Sequence, residues 1–394
     1  MSRLDRHHVL ITFGRSFLTL DLARQLSAAG HRVTLVDSIP IGVGRLSRAT
    51  SAFYKVPPPK FQPRAYAREL ARIVREQNID LVIPIHEETD ILAMMVDEFP
   101  DSCKLFLSDF ETENRLHNKF EFSELLTERG IPSLKYSRVA GPADLAKLDF
   151  SAPFAMKEVY SRGSQKVHKV TPGDDLGWLT FDEGNPWLAQ EWVGGDKYCS
   201  YSVCHEGRIY AHATYPVRYA IGGSSCLTFQ SVQHQGILDW VTDFVKDQNF
   251  TGQVGFDFIE DPERGLFCIE CNPRATSGIM MFRPEDGIDR AFFAENDEII
   301  EPDPDTDRMI GVGMMLYGWR RSAVPDRSLS RFAQLRAFAR EFRAADDVIT
   351  HKGDQKPAWL LPVAYAGILR SCVRYRVGLA EGFMHDHEWD GTRI

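Results

Sequence analysis

The sequence predicts an open parallel-sheet α/β domain at the N-terminus, an α+β region after it, and a mixed, mostly helical C-terminal region. Three observations predict this order. Strand and helix patterns alternate through residues 1–110, as parallel sheets require. Short strands with period-two alternation then take over, the signature of antiparallel pairing. The charged, proline-broken segment Glu301-Pro302-Asp303-Pro304-Asp305 marks off a last stretch of different character.

Each element follows from its residues. Val9 to Phe13 is β-branched and apolar and stops at Gly14-Arg15-Ser16. Leu18, Leu22, Leu26 and Ala29 then form a helical stripe closed by Gly30, and Arg32 to Asp37 reads as the next strand. This βαβ unit implies a right-handed crossover. A helix over Ala65 to Gln77 and a buried strand over Asp80 to Ile85 repeat the pattern. Residues 111–130 read as a helix stopped by Gly130-Ile131-Pro132. Strands follow at Phe154 to Lys157, Trp187 to Gln190, Tyr198 to His205, Arg208 to Ala213, Gly255 to Ile259 and Leu266 to Cys271, with a helix at Gly236 to Gln248. An amphipathic helix lies between Ser328 and Ala345, its Leu329, Phe332, Leu335, Phe338 and Phe342 expected to pack on the body or at a dimer interface.

Composition narrows the function classes. Lys plus Arg is 46 against 55 Asp plus Glu, a net charge of -9, the opposite of what a dominant nucleic-acid surface needs. Seven cysteines in a long chain do not read as a secreted disulfide framework, and a reducing, cytoplasmic setting is expected. The apolar run Val9 to Phe13 is too short for a signal peptide. Trp359 to Leu369 is broken by Pro362 and falls short of a membrane span, so no membrane partner is expected.

The sharpest chemical signal is Gly255-Phe256-Asp257-Phe258-Ile259-Glu260, a turn, and Leu266 to Arg274. Glu270 and Asn272 are two apart on a strand and leave the same face. A turn at Pro262 to Gly265 puts Asp257 opposite Glu270. Two carboxylates and an amide oxygen are hard ligands that suit Mg²⁺ (or Mn²⁺) shared with phosphates. Lys157 ends an apolar strand and precedes Ser161-Arg162-Gly163-Ser164, a small loop whose N–H groups can cover phosphate oxygens. Leu188 to Gly195 runs from a strand into a Gly-Gly turn, a segment whose backbone can pair with an adenine edge.

Together and in this order, these segments resemble the ATP-grasp superfamily, which includes D-alanine–D-alanine ligase and the large subunit of carbamoyl phosphate synthetase. The resemblance spans residues 1–300 and is most specific at 250–278. It implies an α/β domain (1–110) followed by an ATP-grasp domain (111–303) whose two lobes (111–187 and 188–303) clasp ATP, with 304–394 left for packing or dimerisation. It implies that Lys119 and Lys157 contact the nucleotide phosphates, under a mobile loop at Ser161, Arg162, Gly163 and Ser164. Gln190, Glu191, Trp192 and Val193 match the adenine hinge, and Asp257, Glu270 and Asn272 the Mg²⁺ ligands. Arg274 matches a catalytic residue at the transferring phosphate or acyl phosphate. The ribose-binding Glu of the family pattern has no direct counterpart; Asp196 stands one position early.

The implied chemistry is phosphorylation of a small carboxylate, an amino acid or a specialised-metabolite acid, followed by acyl transfer to an amine. Arg218, ahead of Gly222-Gly223-Ser224-Ser225, reads either as a carboxylate grip or as a surface hairpin arginine. One of Glu87 and Glu88, after a buried strand, reads as a partner for a substrate ammonium, or the pair as an acidic helix start. A nucleotide-binding scaffold without turnover is the alternative reading. A dinucleotide enzyme is disfavoured because Thr12 to Ser16 lacks G-x-G-x-x-G spacing. Cys268 and Cys271 are expected on opposite strand faces, and His385 to Glu388 on a solvated tail.

Overall fold

The computed structural model describes residues 6–161, 167–222, 225–323 and 328–394. The N-terminal sheet has five parallel strands, β1 (His8–Ile11), β2 (Arg32–Asp37), β3 (Ala52–Lys55), β4 (Leu81–Ile83) and β5 (Lys104–Leu105), in the order β3-β2-β1-β4-β5. All four residues of β1 are buried, which is why that strand is continuously apolar rather than alternating. Helix α1 (Phe17–Ala28) leads from β1 to β2, its first turn capped by Ser16, whose hydroxyl accepts from Leu18 N. Helix α2 (Pro63–Gln77) carries the chain back past β1 to β4, and α3 (Glu88–Met94) follows β4. The strand order therefore reverses between β1 and β4. In open α/β sheets that crevice, outside the carboxyl ends of the strands, is where ligands bind.

The helical stretch predicted over 111–130 is two helices, α4 (Phe110–His117) and α5 (Lys119–Glu128). Asn118 divides them: it closes α4, and its side chain accepts from Phe120 N and Glu121 N at the start of α5. Strands β6 (Tyr136–Val139), β7 (Phe154–Glu158), β8 (Val167–Val170) and β9 (Trp187–Glu191), with the short helix α6 (Pro142–Leu145), form an antiparallel sheet ordered β6-β9-β7-β8. A second antiparallel sheet is built from β10 (Asp196–His205), β11 (Arg208–Pro216), β15 (Gly252–Asp261) and β16 (Gly265–Asn272), ordered β11-β10-β15-β16. Between them come β12 (Ala220–Ile221), β13 (Ser225–Cys226), β14 (Thr228–Gln230) and α7 (Gln235–Asp247). Strands β17 (Asp307–Met309) and β18 (Asp346–Asp347) extend β14 into a further small sheet.

One face of the second sheet is an apolar core. Ile237, Val241 and Phe244 of α7 and Phe122 and Leu125 of α5 pack on Phe256, Phe258, Cys268 and Cys271. The pairing Asp261↔Gly265 through Phe258↔Cys268 would put Ile269 opposite Asp257. A bulge there restores Asp257↔Glu270 and Gly255↔Asn272. The bulge also corrects the cysteine expectation: it adds a residue between Cys268 and Cys271, so both thiols enter the same core instead of opposite faces.

Helices at Arg331–Ala344 and Leu361–Tyr375 dominate the C-terminal region. In the first, Phe338 and Phe342 pack against Met314 and Ala345, whereas Leu329, Phe332 and Leu335 are exposed. The final segment is not a solvated tail. Asp386, His387, Glu388 and Trp389 are buried against the first sheet. Asp386 pairs with Arg15 at 2.9 Å, His387 Nδ1 lies 3.1 Å from Glu88 Oε2, and Lys60 reaches Glu388 at 3.2 Å. Sequence separations of 299 to 371 residues hide these partners from local reading. Among the described residues no helix is long and apolar enough to cross a membrane.

Candidate active site

The β15–β16 hairpin turns Phe256 and Phe258 into the core, and so turns Asp257 to the opposite, cleft side with Glu270 and Asn272. Burial and the facing Glu270 carboxylate push Asp257 up to about 6. Burial would push Glu270 up as well, but Lys119 and Lys157 outweigh it and hold Glu270 below its ordinary range. Asn272 Oδ1 accepts from Arg274 Nη2 at 2.9 Å. Among the described residues no three His, Cys, Asp or Glu side chains converge to hold a metal ion by themselves. The set here is two carboxylates and one amide oxygen, which fits a Mg²⁺ ion that takes its other ligands from phosphates and water.

Two buried lysines meet this carboxylate set. Lys119 opens α5 directly after the Asn118 cap, and its Nζ lies 3.2 Å from Glu270 Oε1 and 2.5 Å from Ser161 O. Lys157, on β7, donates to Ile269 O at 3.1 Å, the carbonyl of the bulged residue. Burial pushes Lys157 down to about 8, partly opposed by Glu270. The first antiparallel sheet and the helix pair thus each contribute one cation to a site whose acids come from the second sheet.

The remaining predicted residues fall in several places. Ser161 is buried, its hydroxyl donating to Glu158 O. Arg162, Gly163 and Ser164 lie outside the described residues. Gln190 is buried at the end of β9, and Val193 packs with Leu134, Ile259 and Phe267 in a small apolar cluster between the two antiparallel sheets. Trp192 is exposed. Glu191 is paired with Arg264 at 2.6 Å, which holds its carboxyl below the usual range. Gly195 has φ +138°, and a Cβ there would stand 2.2 Å from Glu260 O, so only glycine makes this turn into β10. Asp196 follows it, exposed at the start of the strand.

Arg274 lines the cleft beside Asn272, with its Nε 4.0 Å from Glu87 Oε1. Glu87 and Glu88 are buried beneath the cleft and are not part of its wall. Glu88 accepts from Thr12 Oγ1 and from the N–H groups of Ile85 and His86, and Glu87 accepts from Trp389 N. Arg218 is apart from the others: its guanidinium pairs with Asp307 and Glu341 and donates to Gln230. Asp37, at the end of β2, is taken up by a buried ion pair with Arg15 and leaves no free acid there for a dinucleotide ribose.

A cavity of about 410 Å³ lies between the hairpin and the switch point of the first sheet. Phe13 and Ser16 after β1, and Ile85 and His86 after β4, form one wall; Asp257, Glu270, Asn272 and Arg274 form the polar end. Sequence reading missed Cys199, which shares this end across the pair Cys199↔Asp257. Its hydrogen bond with Cys226 and its burial hold the thiol well above its ordinary range. It also missed the contribution of the C-terminal region, which supplies Tyr365 and Phe383 to the wall.

No family model and no curated protein sequence matches the chain. Solved structures do. An N5-carboxyaminoimidazole synthetase from Staphylococcus aureus, complexed with ADP, superposes with TM-score 0.63 at 11% identity over 87% of this chain and 99% of that one. An L-amino acid ligase from Bacillus licheniformis gives TM-score 0.57 at 14% identity over 76% and 79%. The biotin carboxylase domain of Hydrogenobacter thermophilus 2-oxoglutarate carboxylase, a dimer with MgADP and bicarbonate, gives 0.57 at 13% over 75% and 71%. With its parallel N-terminal sheet and antiparallel sheets, this chain has an ATP-grasp-like fold, shared with these structures.

Proposed function

We propose that the chain is an ADP-forming carboxylate–amine ligase. The observation that carries this reading is the meeting of Lys119 and Lys157 with Glu270, which lines one end of a cavity together with Asp257 and Asn272. Phosphoryl transfer asks a protein mainly for positioning and for cations around developing charge. Lys119 and Lys157 would bind the phosphates, and the lobes at 111–187 and 188–303 would close on ATP, with the adenine against the 190–193 segment near Val193. Asp257, Glu270 and Asn272 would hold Mg²⁺, which when bound neutralises phosphate charge and orients the oxygens.

Arg274 would hold the carboxylate. One carboxylate oxygen attacks the γ-phosphorus as its bond to ADP breaks, giving an acyl phosphate. The amine nitrogen then attacks the acyl carbon, phosphate leaves, and the nitrogen loses a proton to solvent. MgADP and ADP in the similar structures support a nucleotide in this fold, and the synthetase, ligase and carboxylase among them support ligase-type chemistry as the reading to test first. The exposed apolar side of the C-terminal helix, with Val363, Leu369 and Val373, suits a second copy of the chain, and one similar structure is a dimer. The test is ADP and phosphate release with Mg-ATP against acids and amines, singly and in pairs. Release that needs one acid and one amine supports the ligase; ATP binding without release across the panel contradicts it.

A further inference from the structure

We infer that the acid activated here is an apolar monocarboxylate that carries no α-ammonium group. This rests on the ligase reading above and names its substrate class. The cavity has the volume of a small-molecule site, and most of its lining is apolar, although Ser16, His86, Ser225, Thr276 and Ser277 also line it. The apolar part of the lining is drawn from separate parts of the chain, among them Phe17 on α1, Ile221 on β12, Leu227, Leu316, Tyr365 and Phe383. Side chains so distant in sequence converge on one apolar surface. The rings at its far side are clustered, with Phe383 centred 5.7 Å from Phe17 and 5.8 Å from Phe13, an arrangement that suits a planar or branched apolar body.

Charge accounting gives the second half of the inference. Among the described lining residues the only carboxylates are Asp257 and Glu270, which the ligase reading commits to Mg²⁺. Arg274 offers the incoming carboxylate a partner. An ammonium on the neighbouring carbon finds none. Glu88 is closed off below the wall by Thr12, His387 and the N–H groups of Ile85 and His86, and Glu87 lies below it with Trp389 N and Arg274 as neighbours. A buried ammonium without a counter-charge is strongly disfavoured, whereas a methylene in the same place is favoured.

The experiment compares 3-phenylpropanoate with L-phenylalanine, which has the same skeleton plus the ammonium, and with acetate. Binding of each to the full chain is measured by calorimetry with Mg²⁺ and a non-hydrolysable ATP analogue, after the analogue's own binding has been measured. The expected result is 3-phenylpropanoate bound at least about tenfold more tightly than either competitor, and weakened about tenfold by Leu316→Glu, a change at a half-exposed wall position that leaves the core intact. Nucleotide bound but L-phenylalanine preferred, or 3-phenylpropanoate not bound at all, overturns this inference and leaves the ligase standing. Nucleotide failing to bind overturns both.

Discussion

Lys119 Nζ and Glu270 Oε1 stand 3.2 Å apart, joining the start of α5 to the cleft strand of the second sheet. Lys157 is close by, and the two ammonium groups lie among the carboxylates of Glu270 and Asp257. Phosphates would compete for the lysines and Mg²⁺ for Glu270, so this contact would be exchanged for ligand contacts on binding.

Lys157 is buried at an electrostatic cost, as its fall to about 8 records. Lys157→Met keeps the volume and removes the charge. Thermal melting should then show Tm unchanged or raised, while affinity for Mg-ATP falls at least about tenfold. Unchanged affinity would remove Lys157 from the phosphate site.

Glu88 gives a pH prediction. Its burial would raise the carboxyl, but the hydrogen bond and charge of His387, with His86 and Thr12, bring it from 4.5 down to about 2. A depressed carboxyl contributes stability above its unfolded value and loses it as pH falls through the folded one. Denaturant titrations should show on the order of 3 kcal/mol draining away between about pH 4.5 and 2. In Glu88→Gln that slope should flatten.

Asp386→Ala should destabilise the chain by about 2–4 kcal/mol in urea unfolding, because Arg15 is fully buried and would keep only Asp37 as a counter-charge. An effect within a few tenths of a kcal/mol would mean that the C-terminal segment is not docked in solution.

Arg218→Leu distinguishes two roles for that residue. The side chain is held by Asp307 and Glu341 rather than aimed into the cavity. The expected outcome is a loss of about 1–2 kcal/mol in stability with KM for the acid little changed. A large rise in KM at unchanged stability would restore Arg218 as a substrate residue.

Much of this was legible locally. Period-two alternation located the β15–β16 hairpin, and side-chain parity put Glu270 and Asn272 on one face. The parity rule failed at Ile269, because a bulge leaves no composition signal; that failure alone misplaced the two cysteines. Several short strands passed unseen, among them β3, β6 and β8, each a four-residue segment given its identity by its neighbours. His385 to Glu388 reads as solvated by polarity, and only the distant Arg15, Glu88 and Lys60 make its burial favourable. Local sequence left Arg218 open between a carboxylate grip and a surface hairpin arginine because Glu341, its partner, is more than a hundred residues away.

On the proposed reading, Asp257, Glu270 and Asn272 bind Mg²⁺ together with ATP phosphates held by Lys119 and Lys157. The most direct test is calorimetric titration of ATP into wild-type chain and into Glu270→Gln, each with Mg²⁺ and with EDTA. Wild type should bind Mg-ATP at least about tenfold more tightly than metal-free ATP, and Glu270→Gln should lose most of that difference with its melting transition retained. Equal affinities with and without Mg²⁺ in the wild type, or an undiminished Mg²⁺ effect in the variant, would contradict the account.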